Sequence, residues 1–194
     1  IYIGAVASGS QAGIGSLTIT RSVVSAIQLN GSNYTSGNTL TQNQIGSYTG
    51  KSYNSVFSNN IIEYLHAGNG SSTEGGGNNL ISNNIIQNTL RTTGDLVTNN
   101  IFYHYASSGS ITTTGCHSTT FTNNLFYAFT PVTQAAVIYG SNTGTGNLFQ
   151  QDPLFVTPVL PSVLSGYTYS SPASGPFGNL HISASSPGHN YGTD

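Results

Sequence analysis

Seven near-copies of one six-residue pattern, about 21 residues apart, constrain this chain more than anything else in it. The clearest are Phe57-Ser58-Asn59-Asn60-Ile61-Ile62, Ile81-Ser82-Asn83-Asn84-Ile85-Ile86, Val97-Thr98-Asn99-Asn100-Ile101-Phe102 and Phe121-Thr122-Asn123-Asn124-Leu125-Phe126. Weaker copies are Ile19-Thr20-Arg21-Ser22-Val23-Val24, Leu40-Thr41-Gln42-Asn43-Gln44-Ile45 and Gly144-Thr145-Gly146-Asn147-Leu148-Phe149. With the fourth position as marker (Ser22, Asn43, Asn60, Asn84, Asn100, Asn124, Asn147), the steps are 21, 17, 24, 16, 24 and 23 residues. A period in the twenties marks a solenoid, because one unit cannot bury its apolar face alone and must stack on its neighbours. Each copy is too short for a helix pair and carries β-branched and aromatic residues between Gly, Ser, Thr and Asn. It reads as two short strands meeting at a corner. The expected fold is all-β, with three short strands to a coil.

The second asparagine of each copy is assigned the corner, since Asn tolerates positive φ better than most residues. Stacked coil on coil, Asn43, Asn60, Asn84, Asn100, Asn124 and Asn147 would form a buried amide ladder, with Ser22 at its weak end. Two columns are apolar enough for the core: Val24, Ile45, Ile62, Ile86, Phe102, Phe126 and Phe149 two after the marker, and Ile19, Leu40, Phe57, Ile81, Val97, Phe121 and Gly144 three before it. The column one after the marker admits Gln44. If strand alternation resumes after the bend, Ile61, Ile85, Ile101 and Leu125 form an outward aliphatic stripe for a partner, an identical chain or a loop; if it does not, they join the core.

Of the 194 residues only 4% are charged, with a net charge of −2, which does not suit nucleic acid or an acidic membrane surface. The regular repeat, with 36% hydrophobic residues, argues for a folded solenoid under a coat of hydroxyls and amides. There is no Met, no basic-then-apolar leader and no apolar run long enough to span a bilayer. Ile1-Tyr2-Ile3 reads as part of a preceding coil, so further chain is expected on both sides. Cys116 has no intrachain disulfide partner and reads as buried filler. Asn30, Asn33 and Asn69 head Asn-x-Ser/Thr triplets, which chance alone supplies in so Asn- and Ser-rich a chain.

Residues 1–149 are thus assigned to coils and residues 150–194 to an irregular tail capping the last of them, since the prolines at 153, 158, 161, 172, 176 and 187 cannot donate to a sheet ladder. The Ser/Thr-Asn-Asn-Ile/Leu-Phe/Ile copies, Asp152-Pro153-Leu154-Phe155, Leu180-His181-Ile182 and Ser186-Pro187 together resemble extracellular right-handed parallel β-helix proteins of the pectin-lyase-like superfamily. The resemblance implies about seven rungs, a missing N-terminal cap, and a place in a large secreted or cell-surface protein of bacterial type. For activity it implies little, because that fold carries lyases, glycosidases, esterases and adhesins.

The ionisable residues are Arg21, Lys51, Arg91, Glu63, Glu74, Asp95, Asp152, Asp194 and five histidines. Glycoside hydrolysis needs carboxylates about 5 to 9.5 Å apart, and the aspartate cluster with His and Arg-x-Lys of the resembled polygalacturonases is missing. A uronate lyase would need a Lys or Arg base, with Ca²⁺ held by acids. Lys51 and Arg91 each stand nine before a marker and Glu74 ten before another, which makes a row of three a candidate lyase centre and equally a surface ion-pair ladder. Without the lyase no cofactor is implied, and no metal site: Glu63 and His66 fall on opposite faces of a strand. Tyr103 and Tyr127, in line with Glu63 and Gln87, would form an aromatic platform for a sugar ring, or simply pack across strands. A hydroxyl-rich solenoid face of this kind also suits ice binding, but the repeat presents no regular Thr-x-Thr ladder. The leading expectation is a non-catalytic β-helix segment, a rigid spacer or an adhesive, glycan-binding surface that meets polysaccharide or another surface protein.

Overall fold

The computed structural model describes residues 16–29, 35–68, 77–104, 111–128, 130–158 and 178–188. Expectations for Ile1–Ile3, Asn30, Asn33, Asn69, Glu74, His189 and Asp194 lie outside these residues.

Each copy of the pattern folds as two strands on either side of a corner. The residues before the marker give β1 (Thr18–Thr20), β4 (Thr39–Thr41), β7 (Val56–Ser58), β9 (Leu80–Ser82), β11 (Leu96–Thr98), β13 (Thr120–Thr122) and β15 (Thr143–Thr145). They form one parallel sheet, in that order, here called sheet B. The residues after the marker give β2 (Val23–Gln28), β5 (Gln44–Thr49), β8 (Ile61–His66), β10 (Ile85–Arg91), β12 (Ile101–His104), β14 (Leu125–Ala128) and β16 (Leu148–Phe149), the parallel sheet A. A narrow third side carries β3 (Thr35–Ser36) paired with β6 (Ser52–Tyr53), while an isolated bridge from Thr89 of β10 to Thr112 extends the sheet A pairing and another joins Thr93 to His117. The chain is a parallel β-solenoid of about five turns. That is fewer than the seven copies suggest, and between Asn124 and Asn147 the chain adds a helical turn, α1 (Gln134–Val137).

The corner itself corrects the sequence expectation. Positive φ falls on the residue before the marker: Arg21 (49°), Gln42 (58°), Asn59 (57°), Asn83 (56°), Asn99 (56°), Asn123 (53°) and Gly146 (66°). The first asparagine of each pair therefore bends the chain, at the position where L-residues are least tolerant. The second turns inward and is buried.

Both apolar columns assigned to the core are there. Leu40, Phe57, Ile81, Val97 and Phe121 line sheet B and Ile45, Ile62, Ile86, Phe102 and Phe126 line sheet A, all 0% exposed. Phe102 stacks on Phe126 at 4.4 Å, and Phe126 on Phe149 at 5.1 Å. Burying each such side chain contributes about 1.5–3 kcal/mol, and stacked identical positions let one rung's packing serve as template for the next. A third inward column, Ile27, Tyr48, Leu65 and Leu90, closes the core against the third side.

After the corner, alternation resumes. The column one past the marker points outward: Val23 is 46% exposed, and Ile61, Ile85 and Ile101 are half-buried. Leu125 is the exception at 1%. The chain's own tail covers it, since a Cβ placed on Gly188 would lie 3.5 Å from Leu125 Cδ1 and 3.7 Å from Ile101 Cδ1. The tail turns back at Asp152, whose Oδ1 accepts the Leu154 N–H at 2.8 Å while Leu154 takes a φ of 52°. It then forms an antiparallel pair, β17 (Phe155–Pro158) with β18 (Gly178–Ile182).

Candidate functional site

The marker asparagines make an unbroken ladder. Asn43, Asn60, Asn84, Asn100 and Asn124 each donate both the backbone N–H and Nδ2 to Oδ1 of the next marker, at 2.9–3.0 Å, ending on Asn147. Each Nδ2 also donates to a carbonyl of the coil before, as Asn84 does to Phe57 O at 2.8 Å. At the weak end, Ser22 N–H donates to Asn43 Oδ1 at 3.0 Å.

A second buried ladder runs at the other corner, five residues before each marker. Leu17 N–H donates to Asn38 Oδ1, Asn38 N–H to Ser55 Oγ, Ser55 N–H to Asn79 Oδ1 and Asn79 N–H to Asp95 Oδ1, at 2.8–3.0 Å. Thr119 N–H donates to Asn142 Oδ1 at 3.1 Å. The residues before these members again carry positive φ: Gly37, Asn54, Asn78, Gly94 and Ser118. Sequence reasoning missed this ladder because its members change type, although their spacing of five from the marker never varies.

The proposed lyase row is not assembled from the described residues. Arg91 is in register with His66, and His66 with Thr49, so Lys51 stands two residues beyond the row that holds Arg91. A register shift between Ile86 and Thr89 contributes to the offset. The Arg91 stem lies along Gly115, whose added Cβ would be 2.8 Å from Arg91 Cγ. Asp95 belongs to the second ladder and Asp152 to the tail turn, while Glu63 is half-buried on β8, where burial pushes its carboxyl up and the Tyr64 hydroxyl partly offsets this. Among the described residues no three His, Cys, Asp or Glu side chains gather where a metal ion could be held. Cys116 is buried at 1%, donates to Leu90 O at 3.4 Å, and its thiol is pushed up to about 12 by burial.

On the outer face of sheet A, Tyr103 and Tyr127 stack at 5.9 Å. Tyr103, however, is only 3% exposed, with Phe155 of the tail edge-on at 4.8 Å, so its ring is not presented to a ligand. Beside it, Gln87 is fully buried with both amide atoms unpartnered. His104 meets Gln87 O through Nδ1 at 2.8 Å, and its Nε2 is unpartnered.

The outer face of sheet B is different in kind. Its six pairings are each three residues long and none contains a register shift. Two straight columns of side chains follow. Two before the marker stand Thr20, Thr41, Ser58, Ser82, Thr98, Thr122 and Thr145, every one a hydroxyl; four before it stand Thr18, Thr39, Val56, Leu80, Leu96, Thr120 and Thr143. Four of the seven strands, β1, β4, β13 and β15, are therefore Thr-x-Thr, in two blocks at the ends of the sheet. Between them β7, β9 and β11 carry Val56, Leu80 and Leu96 in the first of these places, so the Thr-x-Thr pattern is interrupted as the sequence leads one to expect, while the hydroxyl column two before the marker is complete. Counting core columns alone hides these threonines, because they flank the core residue on both sides.

A stacked, parallel coil with two buried polar ladders and one hydroxyl-rich face defines the class: this is a parallel β-solenoid. Compared with known proteins, the chain matches no family model, no curated sequence and no solved structure.

Proposed function

We propose that this chain is a non-catalytic solenoid segment of a larger secreted or cell-surface protein, of the pectin-lyase-like kind, that serves as a rigid adhesive module. The observation that carries this is the outer face of sheet B, fourteen positions in two straight columns without a charge or an aromatic ring. Such a face suits an extended, uncharged surface, because many weak, regularly spaced contacts add without the desolvation cost of buried ions. The use of Asp95 and Asp152 as structural acceptors supports the non-catalytic half of the reading. Rigidity follows from the unbroken marker ladder and the second ladder beside it, since bending the coil would break buried hydrogen bonds.

The lyase alternative, through Lys51, Glu74 and Arg91 with Ca²⁺, has no specific observation in its favour. Incubating the protein with uronate polymers and Ca²⁺ and following unsaturated-product absorbance separates the two. Silence is expected. Product release that disappears in Lys51→Ala would overturn the non-catalytic reading.

A further inference from the structure

We infer that the outer face of sheet B binds ice, a conclusion that rests on reading this face as the adhesive surface and names what it adheres to. The geometry begins with the unshifted register, which sets side chains about 4.8 Å apart from strand to strand and about 6.6–6.8 Å apart between the two columns. Seven strands extend this grid over roughly 29 Å, six strand spacings. Sheet A offers no equivalent, because a register shift interrupts β10 against β8 and the tail lies over β12 and β14.

The chemistry of the grid is hydroxyl and methyl. Thr41 Oγ1 donates to Thr20 Oγ1 at 3.4 Å, and Thr120 and Thr143 share a hydrogen bond at 3.1 Å, so one pair of neighbouring hydroxyls in each column is held by its own hydrogen bond. Threonine is stiff at χ1 and loses little freedom when a ligand arrives. Val56, Leu80 and Leu96 make the middle of the outer column apolar, with Leu80 36% and Leu96 43% exposed. Ser82 is the one hydroxyl of the inner column that is buried, at 7%.

These features select among ligands. Sugar rings stack on aromatic faces, and protein hot spots favour Trp, Tyr and Arg; the face carries none of these. A phosphate-rich partner needs cations, and Arg21, at the corner beyond Thr20 and bonded to Gln42 Oε1 at 3.0 Å, is the one cation in the column that flanks the face on its marker side. A water lattice, in contrast, is uncharged, periodic and rigid, and it offers donors and acceptors at every point. Hydroxyls in a straight column can enter such a lattice while neighbouring methyls confine water without competing for its hydrogen bonds. A rigid crystal cannot adapt to its receptor, so a regularly spaced, pre-aligned face is the requirement, and the unshifted register supplies the regular spacing.

The test compares the protein with Thr98→Lys, at the middle of the hydroxyl column, and Thr49→Lys, an exposed position on sheet A. Melting curves establish that both variants fold. Thermal hysteresis, inhibition of ice recrystallisation and uptake of labelled protein onto a growing ice surface are then read. The expected result is ice activity in the unsubstituted protein and in Thr49→Lys, and its loss in Thr98→Lys. No ice activity in the unsubstituted protein, or equal loss in both variants, overturns the inference. Parallel arms use insoluble neutral polysaccharide and light scattering for self-association. Retention on polysaccharide that Thr98→Lys abolishes, without ice activity, overturns ice binding and leaves the adhesive face standing; a dimer broken by Thr98→Lys, without ice activity, assigns the face to a second copy. Silence in every arm overturns the adhesive reading as well.

Discussion

Asn79 donates its backbone N–H to Asp95 Oδ1 at 2.8 Å and its Nδ2 to both carboxyl oxygens, at 3.0 and 3.1 Å, so a carboxylate stands in a rung built for an amide. Two asparagines in this ladder give an Nδ2 hydrogen to a carbonyl of the coil before, Asn79 to Ser52 O and Asn142 to Cys116 O. Ionised Asp95 has no hydrogen to give; protonated, it has one. Burial pushes its carboxyl from 3.8 up to about 6, against the Asn79 hydrogen bonds that lower it. The Cys116 thiol, held neutral by its own burial, adds no titration below its value of about 12. The folded state thus binds the proton more tightly than the unfolded one. Stability is fully present below about pH 4 and is lost as pH rises through about 6, by about 3 kcal/mol at 1.36 per unit. Asp95→Asn should raise the melting temperature at pH 7 and flatten its dependence between pH 4 and 7. An unchanged pH profile in that variant would remove Asp95 from the account.

The adjacent asparagines Asn83 and Asn84 predict opposite responses. Asn84→Ala removes the acceptor for Asn60 N–H and Nδ2 and the donor to Phe57 O, all buried. At about 1–3 kcal/mol for each of the three unsatisfied groups, denaturant unfolding should register a loss of about 3–9 kcal/mol. Asn83 sits at φ 56°, where glycine has no steric penalty. Asn83→Gly should therefore stay within about 1 kcal/mol of the parent. Similar losses in both would contradict the division of labour at the corner.

The contrast between those neighbours also shows what could be read from the sequence. The coil, its core columns and the position of the marker follow from period and apolarity, which are properties of one residue type recurring at one distance. Which asparagine bends and which points inward is not readable, because the two are chemically identical and only backbone φ separates them. The second ladder was countable in principle, since Asn38, Ser55, Asn79, Asp95, Thr119 and Asn142 keep a fixed spacing from their markers. Its mixed chemistry disguised it. Lys51 and Arg91 share a position only when counted back from the marker across turns of unequal length, whereas register is set forward from the corner by hydrogen bonding. The cover that the tail lays over Tyr103 and Leu125 depends on a long-range antiparallel pairing that no local pattern encodes.

Gln87 gives a test in the opposite sense from most core substitutions. Neither Oε1 nor Nε2 of this fully buried amide has a partner. An unsatisfied buried polar group costs about 1–3 kcal/mol, so an apolar side chain of similar size should be preferred. Gln87→Leu is expected to raise stability by about 1–3 kcal/mol in denaturant unfolding. A loss instead would mean that the amide is satisfied in solution, by water or by a bound molecule.

Gly144 looks like a defect in the core column that otherwise reads Ile19, Leu40, Phe57, Ile81, Val97 and Phe121, and filling it would seem an obvious gain. The surroundings reverse that expectation. A Cβ added there would stand 2.6 Å from Phe121 O, 2.7 Å from Ile138 Cδ1 and 3.0 Å from Asn147 Nδ2. Ile138, arriving from the end of α1, already packs against the core at this rung. The backbone carbonyl cannot swing aside as a side-chain tip can, and Asn147 Nδ2 is committed to Phe121 O at 2.9 Å. Gly144→Val should therefore destabilise by about 1–3 kcal/mol, the usual range for overpacking. Pairing it with Ile138→Ala separates the two sources of crowding: partial recovery assigns the clash to Ile138, and none assigns it to the carbonyl, whereas a more stable Gly144→Val single variant would refute the packing argument at this rung.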